Sequence, residues 1–466
     1  MSQQASARGE RDAVSPALEV APRAAERAPA VRPWAWVPSL YLAMGTPMIT
    51  VSVVAAIMYK NLGMSNTDIA LYTGSMYLPW VIKPLWAPLL ELFWTKRTFV
   101  LAMELGIAIT LCCVGLALGL PSYLAATLVF LWIVGFASAT QDIAADGLYI
   151  AAMSEKQQAQ FVGVQGICWN AGRLLASGVM VECTHWMHEQ VGLSWTRTWM
   201  LVMLALGAVM ALLSVWHWRV LPDVDAGARS TVAAAGSQAA RPPPRQSVRS
   251  AVYAMADTWV SFLRKPRIWL MLAVIFFYRF GEGFVEKIGP LFLMDARSAG
   301  GLGLDNAALG RINGGYATVG FLSGALLGGL FAAKLGLRRS FWFLALALNV
   351  PHVTYLFLAL SLPKNHALIA LVVTIEKLGY GFGSVGHMLY MMQQVAPGPY
   401  RTAHFAFATG IMGLCMMLTG MVSGVLQEAL GYQQFFVFVV VASVPPVLLA
   451  LAAPFVSEPA QEAHGR

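Results

Sequence analysis

The chain has 466 residues, of which 58% are hydrophobic and only 12% are charged, and its mean hydropathy is +0.63. This balance excludes an ordinary soluble globular protein and indicates a membrane protein. The net charge of +8 requires no nucleic-acid partner, because the basic residues fall mainly in the tails and turns between apolar stretches.

Apolar stretches long enough to cross a hydrocarbon core of about 30 Å recur along the chain. We predict an all-α polytopic membrane protein with twelve transmembrane helices, which we call spans one to twelve. Their predicted limits are 34–59, 68–94, 98–119, 122–148, 161–182, 197–220, 267–293, 307–332, 340–362, 367–394, 403–429 and 435–456.

The spans group into two six-helix bundles with pseudo-symmetry, at 34–220 and 267–456. Residues 1–33 are predicted to form a disordered N-terminal tail, and residues 457–466 a C-terminal tail. The linker, 221–266, contains the Pro-, Gly-, Ser- and Arg-rich stretch AGARSTVAAAGSQAARPPPRQ and continues with apolar residues at helical spacing. This second part suits a helix on the membrane surface, and a simple connecting helix fits nearly as well.

The distribution of Lys and Arg predicts the orientation of the bundles. The N-terminal tail, the linker, Lys96, Arg97, Arg338, Arg339 and Arg401 all fall on one side of the predicted topology. Because short cytoplasmic loops are enriched in Lys and Arg, both termini and the linker are predicted to be cytoplasmic.

The two halves repeat each other. The segments GMSNTDIALY and GLDNAALGRI each open the second helix of a half, with Ser65 and Asp305 as predicted N-caps, and LLELFWTKR and LFAAKLGLRR end the same helices. Two six-helix repeats with basic turns resemble the major facilitator superfamily, whose substrate site lies between the halves. The acid of the family's loop motif corresponds to Glu91, whereas the second copy has Lys334.

Span seven carries the richest set of charges inside a predicted span. In FFYRFGEGFVEKIGPLF, Arg279, Glu282 and Glu286 follow i, i+3, i+7 spacing and are expected to share one face, with Tyr278 and Lys287 beside them. A charged face of this kind is costly against lipid. We therefore expect it to line the cavity between the halves, where Tyr278 and Arg279 would contact the substrate.

Arg173 and Arg279 lie roughly 18 Å from the predicted cytoplasmic edge, and Glu376 lies roughly 14 Å from the predicted external edge, at 1.5 Å per residue. The three residues are therefore predicted at similar depths. Two Arg residues near the midplane favour an anionic solute, because a guanidinium binds carboxylate or phosphate through two bonds. Glu282, Glu286 and Glu376 are the predicted proton-coupling residues. Burial favours the protonated form of a carboxyl group, whereas a neighbouring Arg favours the ionised form, so that movement of the substrate can switch between the two. Lys83 and Glu104 are weaker candidates.

Alternatives remain open for several of these residues. Some of the charges could pair only to hold helices together. Glu376 and Lys377 are neighbours and are expected to point in different directions, so that only one would face the cavity. His352 and His404 could carry protons, although isolated His residues near helix ends are more often structural.

Three segments resemble the AmpG-like branch of the superfamily: SATQDIAADG in span four, LPWVIKPLWAPLLE in span two and FYRFGE in span seven. The branch includes anhydromuropeptide permeases, siderophore importers and acetyl-coenzyme A carriers. The resemblance implies functional positions at Gln141, Asp142, Asp146 and Lys83. We interpret Gln141 as a substrate-binding residue and Asp142 as a proton-coupling residue.

Asp142 and Asp146 are one turn apart at the predicted cytoplasmic end of span four. We expect them to meet the basic turn between spans two and three, or the cavity floor, and to take part in gating and proton exit. The predicted gating residues are Asp146, Glu91, Lys96, Arg97 and Lys83.

The sequence therefore predicts a proton-driven importer of an anionic, sugar-containing solute such as an anhydromuropeptide, a monomer in the cytoplasmic (inner) membrane. Its expected partners are the solute, protons and the lipid bilayer. A siderophore importer is the alternative within the class, and a membrane sensor that has lost transport is the alternative outside it. An enzyme is not expected, because the sequence has no recognisable metal cluster, phosphate loop or nucleophile elbow. No cofactor or metal is expected either.

Overall fold

The computed structural model describes residues 32–87, 90, 95–153, 155–224, 248–397 and 401–455. Within these residues the chain is helical and contains no β-strand. The C-terminal tail and nearly all of the N-terminal tail lie outside the described part, as do Glu91 and the Pro-rich part of the linker.

Spans one to six form the first half. Spans one, three, four and six are Pro33–Asn61, Lys96–Ala117, Tyr123–Ala152 and Trp195–Val220. Span two consists of the helical pieces Asn66–Ser75, Leu78–Ile82 and Lys83–Leu85. Span five consists of Glu155–Arg173, Leu174–Val179, Met180–His185 and Trp186–Gln190.

The second half follows a linker helix, Val248–Leu263. Spans seven to ten are Ile268–Met294, Asn306–Leu335, Leu337–Ser361 and His366–Val395. Spans eleven and twelve come from the helices Arg401–Ala442 and Val444–Leu451, and Gly431, with φ of 70°, separates the two spans. The prediction of an all-helical membrane protein is confirmed: among the described residues, nine helices are long and apolar enough to cross a membrane, and the last of them, His404–Leu451, covers spans eleven and twelve.

The starts of spans two and eight confirm the predicted N-caps. The Ser65 hydroxyl accepts a hydrogen bond from the Asp68 backbone N–H at 3.0 Å. The Asp305 carboxylate accepts one from the Ala308 N–H at 2.7 Å. Each cap satisfies a backbone donor that has no partner within its helix.

Spans one and seven depart from regular helix near the middle of the protein. In span one, Pro47 precedes a π-helical turn, Thr50–Val54, which loosens the backbone hydrogen bonding there. In span seven the helix stops at Phe277 and resumes at Phe280, with Arg279 at φ −112° and ψ 22° between the two pieces. Interrupted helices near the midplane are typical of transporter binding sites.

Glycine residues bring the two halves into backbone contact. A Cβ atom on Gly314 of span eight would lie 2.3 Å from the Cα atom of Gly178 in span five. A Cβ atom on Gly424 of span eleven would lie 2.3 Å from the carbonyl oxygen of Asn66 in span two. Only residues without a side chain allow helices to approach this closely.

Polar contacts also join the halves at one end. We call the end of the spans that carries Lys96 the basic end, and the other end the far end. At the far end, Asp295 of span seven lies 2.5 Å from the Lys60 ammonium and accepts a hydrogen bond from Asn66 Nδ2 at 3.0 Å. Asn66 also donates to Gln427 Oε1 at 2.6 Å. Together, spans one and two of the first half are tied to spans seven and eleven of the second.

Further far-end contacts extend this closure. The Thr67 hydroxyl donates to Glu428 at 2.7 Å, and Asn306 Nδ2 donates to Asn61 Oδ1 at 2.8 Å. Arg311 of span eight pairs with Glu182 of span five at 2.9 Å. In this conformation the two halves are closed against each other at the far end.

The linker helix docks at the basic end of the second half. Trp259 stacks on Phe407 of span eleven with ring centroids 4.0 Å apart, and Phe262 is buried. Val260 and Leu263 remain exposed. The helix therefore connects and packs through one face, and it keeps an apolar surface on another.

Candidate functional site

A charged site lies at the break in span seven, and we call it the central site. The Arg279 guanidinium lies over the ring of Tyr380 in span ten, 4.8 Å from its centroid, and donates to the Tyr380 hydroxyl. Its Nη2 atom is 3.6 Å from Glu286 Oε2. Its Nε atom is buried and has no hydrogen-bond partner within the described residues. One donor of the guanidinium is therefore free to bind another group.

The central site also contacts the first half. Glu286 accepts a hydrogen bond from the Tyr77 hydroxyl of span two at 3.1 Å. Lys287 donates to Thr73 Oγ1 at 2.8 Å and to the Ser52 carbonyl at 3.2 Å. Ser52 lies in the π-helical turn of span one. Neighbouring charges on span seven thus reach across the boundary between the halves.

The space between these groups is small in this conformation. A cavity of about 10 Å³ is lined by Ser52, Tyr77, Glu286, Lys287 and Met416, among others. That volume holds about one water molecule. A larger solute would need the two halves to separate here.

A second group of charges, the inner cluster, is buried inside the second half. Lys377 Nζ lies 2.8 Å from Glu282 Oε1 and 3.2 Å from Glu376 Oε2. His352 Nε2 lies 3.2 Å from Glu282 Oε2, and His352 Nδ1 lies 2.7 Å from Ser443 Oγ. The cluster ties together spans seven, nine, ten and twelve.

The inner cluster corrects two predictions made from helical spacing. Glu282 does not contact Arg279 together with Glu286: its carboxylate pairs with Lys377 and His352 inside the second half, whereas Glu286, one turn later, lies beside Arg279 and Tyr77. Glu376 and Lys377 do not point apart, because the long Lys377 side chain folds back toward the neighbouring carboxylate.

Three side chains of the inner cluster are spaced closely enough to hold a metal ion. Glu282, His352 and Glu376 offer atoms that lie within 4.8 Å of one another. The Lys377 ammonium already lies against both carboxylates. The cation at this position is therefore a side chain.

Tyr278 and Arg173 occupy different environments. Tyr278 is buried, its hydroxyl donates to the Gly383 carbonyl at 3.0 Å, and its ring stacks on His387. It packs inside the second half and supports the break in span seven. Arg173 of span five is half-buried, interacts electrostatically with Tyr355 of span nine, and has a buried Nε atom without a hydrogen-bond partner in the described residues.

The predicted gating residues cluster at the basic end of span four. Asp142 accepts a hydrogen bond from Trp80 Nε1 at 3.0 Å and lies 3.8 Å from Lys83 Nζ. Asp146, one turn later, accepts a hydrogen bond from the Tyr41 hydroxyl at 2.9 Å. Spans one, two and four therefore meet at this pair of acids.

The basic residues of the turn after span two, Lys96 and Arg97, have partners other than the predicted acids of span four. Arg97 donates to the Trp218 carbonyl at 2.5 Å, and the Lys96 side chain lies across Gly147. The cation paired with Asp142 is instead Lys83, because span two passes beside span four at this level. Glu91, the remaining predicted gating residue, lies outside the described residues.

Gln141 lies in a buried polar group inside the first half. Its side-chain amide donates to Glu104 at 3.1 Å, and His217 Nδ1 lies 2.7 Å from the same carboxylate. His217 Nε2 lies 2.9 Å from Ser39 Oγ. Gln141 thus organises the packing of spans one, three, four and six and does not line the central site.

Several site residues were missed at the sequence level. Tyr77 and Tyr380 complete the central site, and His217 completes the buried group around Glu104. Tyr380 could have been predicted from the sequence, because it follows Lys377 by three residues and lies on the same helix face. The partners of Lys287 could not have been predicted from spacing along the helix, since they lie on spans one and two.

A separate groove lies away from these charges. It has a volume of about 670 Å³ on spans three and four and is lined by apolar residues with two threonines, including Met103, Thr110, Trp132 and Phe136. A groove of this composition on the outer face of a membrane bundle suits lipid chains.

Comparison with known proteins agrees with this architecture. The family model for the Major Facilitator Superfamily matches residues 39–423. The Anhydromuropeptide permease of Escherichia coli strain K12 is 22% identical over 399 residues, 84% of this chain and 73% of that protein. Putative transporter AmpG 4 of Rickettsia felis is 21% identical over 88% of this chain and 94% of that protein.

Solved structures show the same fold. A bacterial homologue of the human lysosomal transporter Spinster, in an inward-facing and unoccupied conformation, has a TM-score of 0.67 and 16% identity, and the match covers 91% of this chain and 98% of that one. The D-xylose-proton symporter has a TM-score of 0.64 and 14% identity, with 91% and 97% covered. With its helical membrane architecture and its family match over most of its length, the chain belongs to the Major Facilitator Superfamily.

Proposed function

We propose that this transporter imports an anionic, sugar-containing solute, such as an anhydromuropeptide, and couples import to protons. It would work as a monomer in the cytoplasmic (inner) membrane, with both termini and the basic end in the cytoplasm. The basic turns favour this orientation. The similarity to the E. coli Anhydromuropeptide permease over 84% of the chain favours the choice of solute.

One observation carries the proposal of an anionic solute. Arg173 and Arg279, from different halves, each keep a buried Nε donor without a hydrogen-bond partner in the described residues. Buried donors are almost always paired in folded proteins. An anionic group of the solute would satisfy both donors when it binds between the halves.

Glu286 offers a means of coupling. It is the carboxylate next to Arg279 in this conformation, at 3.6 Å. A solute anion that binds Arg279 competes with Glu286 for the guanidinium. A carboxylate that loses its cation in a dry site favours its protonated form, so solute binding would promote proton uptake.

The far-end contacts and the gating residues define the proposed cycle. Under this orientation the far end faces outward and is closed, so the solute enters when contacts such as Asn66 to Asp295 open. Asp142 and Asp146 lie near the cytoplasmic end, where Lys83 would exchange between them as the gate moves. Proton release to the cytoplasm would occur there.

Uptake by purified protein in liposomes tests the proposal. We expect radiolabelled anhydromuropeptide to accumulate when the outside is made acidic, and a protonophore to abolish accumulation. Accumulation of a ferric siderophore and not of anhydromuropeptide would support the siderophore importer. Binding of either solute without uptake would support the sensor.

A further inference from the structure

The break in span seven interrupts the backbone hydrogen bonding of the helix. The last bond of the first piece runs from the Tyr278 N–H to the Val274 carbonyl at 2.9 Å, and the second piece begins with a bond from the Gly283 N–H to the Arg279 carbonyl at 3.0 Å. In a continuous helix the Tyr278 carbonyl would accept from the N–H four residues later. A buried carbonyl needs a partner, so a break at this depth requires a donor from a neighbouring span.

Asn349 of span nine supplies this donor. Its side-chain amide donates to the Tyr278 carbonyl at 3.3 Å and to the Ala345 carbonyl, one turn earlier in span nine, at 2.9 Å. The orientation of the amide is fixed, because both partners are carbonyls and the amide oxygen could not face either of them. Asn349 is 2% exposed, so water does not compete for these bonds. One hydrogen of the amide is therefore committed to the break.

Span ten holds the same residue of span seven through its side chain. The Tyr278 hydroxyl donates to the Gly383 carbonyl at 3.0 Å, and its ring stacks on His387 with centroids 4.7 Å apart. Gly386 provides the space for this hydroxyl, since a Cβ atom there would lie 2.8 Å from it. Tyr278 is thus held by its carbonyl and by its side chain, immediately before Arg279.

Span nine also contacts the start of the second piece. His352 follows Asn349 by three residues, in the short 3-10 turn Val350–His352, so the two side chains lie on the same side of span nine. His352 Nε2 lies 3.2 Å from the Glu282 carboxylate. Span nine therefore holds span seven both before and after Arg279.

We propose that Asn349 is a positioning residue that acts through Arg279. Without Asn349, the Tyr278 carbonyl can accept from the Glu282 N–H, as in a continuous helix, and the backbone at Arg279 becomes helical. The guanidinium then leaves its place over the Tyr380 ring, where it lies 4.8 Å from the centroid. A binding group is effective only when its neighbours hold it in the productive geometry. The effect on solute binding rests on the proposed function, whereas the effect on the backbone does not.

Hydrogen exchange measured by mass spectrometry tests the effect on the backbone in protein without solute. In Asn349→Ala we expect slower exchange of the amides at 279–282, because closing the break gives these N–H groups helical partners. Ser340→Ala removes another buried hydroxyl or amide group of span nine, one that bonds only to the start of that span, and should leave this exchange unchanged. Unchanged or faster exchange in Asn349→Ala would show that Asn349 does not hold the break.

Binding of radiolabelled anhydromuropeptide tests the effect on Arg279. Asn349→Ala should lower the affinity about two- to tenfold, the range for loss of one hydrogen bond. The same substitution made in Arg279→Gln should lower it no further, because Asn349 acts only through Arg279. Unchanged affinity in the single variant, or independent losses that add in the double variant, would overturn the positioning role.

A second substitution covers a failure of Asn349→Ala to fold. Asn349→Leu refills the volume and removes the buried amide oxygen, which has no hydrogen-bond partner in the described residues, and it carries the same expectations. The two proposals also fail separately. If the unchanged protein binds no anhydromuropeptide, the proposed function is wrong, while hydrogen exchange still decides whether Asn349 holds the break.

Discussion

Arg279 owes its position to a single interruption in an otherwise regular helix. The backbone leaves helical geometry at this residue, and the guanidinium turns onto Tyr380 instead of following the face of Glu282. The contact with an aromatic face and the nearby carboxylate offset part of the cost of burying a charge. The Nε donor without a partner in the described residues is the reason to propose Arg279 as a binding residue.

Substitution of Arg279 tests substrate binding directly. Arg279→Gln removes a charge-assisted bond worth about 1.5–3 kcal/mol, so we expect solute affinity to fall by roughly 10- to 100-fold. Membrane abundance should be unchanged. Arg338→Gln removes the same charge from an exposed position at the start of span nine and should retain uptake. Loss of folded protein in Arg279→Gln would mark Arg279 as structural.

Asp142 should affect the transport cycle more than binding. It lies beside Lys83 and Trp80 at the basic end, away from the central site. In Asp142→Asn the hydrogen bond from Trp80 can remain while the charge is lost, so we expect slow accumulation with nearly normal affinity. Uptake rate and equilibrium binding measured on the same preparation check this. Unchanged transport would exclude Asp142 from the mechanism.

At the scale of helices, close packing of glycines decides how spans five and eight meet. Gly314 touches the backbone of Gly178, whereas a Cβ atom on the adjacent Gly315 would have no neighbour closer than 4.0 Å. The sequence shows both glycines side by side, and only the orientation of the helix distinguishes them. This pair therefore offers a matched test of the contact between the halves.

Gly314→Ala should separate spans five and eight. Overpacking of this kind costs typically 1–3 kcal/mol, and the cost falls only on the conformation in which the far end is closed. We expect the population with an open far end to increase, as measured by spin-label distances between the halves. Gly315→Ala should leave the distances unchanged. Equal effects of the two substitutions would contradict the packing argument.

At the scale of the whole molecule, the far-end contacts determine which conformation is stable. They link spans one and two to spans seven and eleven through Lys60, Asn66, Asp295 and Gln427. Each contact exists only while the halves are closed at this end. Their combined free energy therefore stabilises the far-end-closed conformation relative to the open one. The free-energy difference between these two conformations sets their populations, and a transporter must keep it small enough to visit both.

Asn66→Ala should shift the transporter toward a far-end-open conformation. It removes hydrogen bonds worth about 0.5–1.5 kcal/mol each, enough to change the ratio of the two conformations by about tenfold. Cross-linking between cysteines introduced at Thr67 and Glu428, which are in contact in the closed state, should decrease. Asn365→Ala, which removes a cap within one half, should leave it unchanged. Undiminished cross-linking in Asn66→Ala would show that other contacts hold the far end closed.

Helical spacing predicted part of the candidate site. It placed Arg279 and Glu286 together, because residues seven apart lie on the same side of a helix, and the structure pairs them. It failed for Glu282, because Lys377 of span ten and His352 of span nine draw its carboxylate into the second half. The partners of Lys287 and His352 lie 214 and 91 residues away. No periodicity within one span could identify them.

The sequence by itself determined the twelve spans, the division into two halves and the identity of the buried charges. These follow from local composition, because about twenty apolar residues suffice to cross the membrane and any charge among them is conspicuous. The tertiary structure alone decided which charges pair, which donors remain free and which end is closed. Those properties depend on contacts between distant spans, and the geometry of such contacts is set by helix packing and breaks that local sequence does not encode.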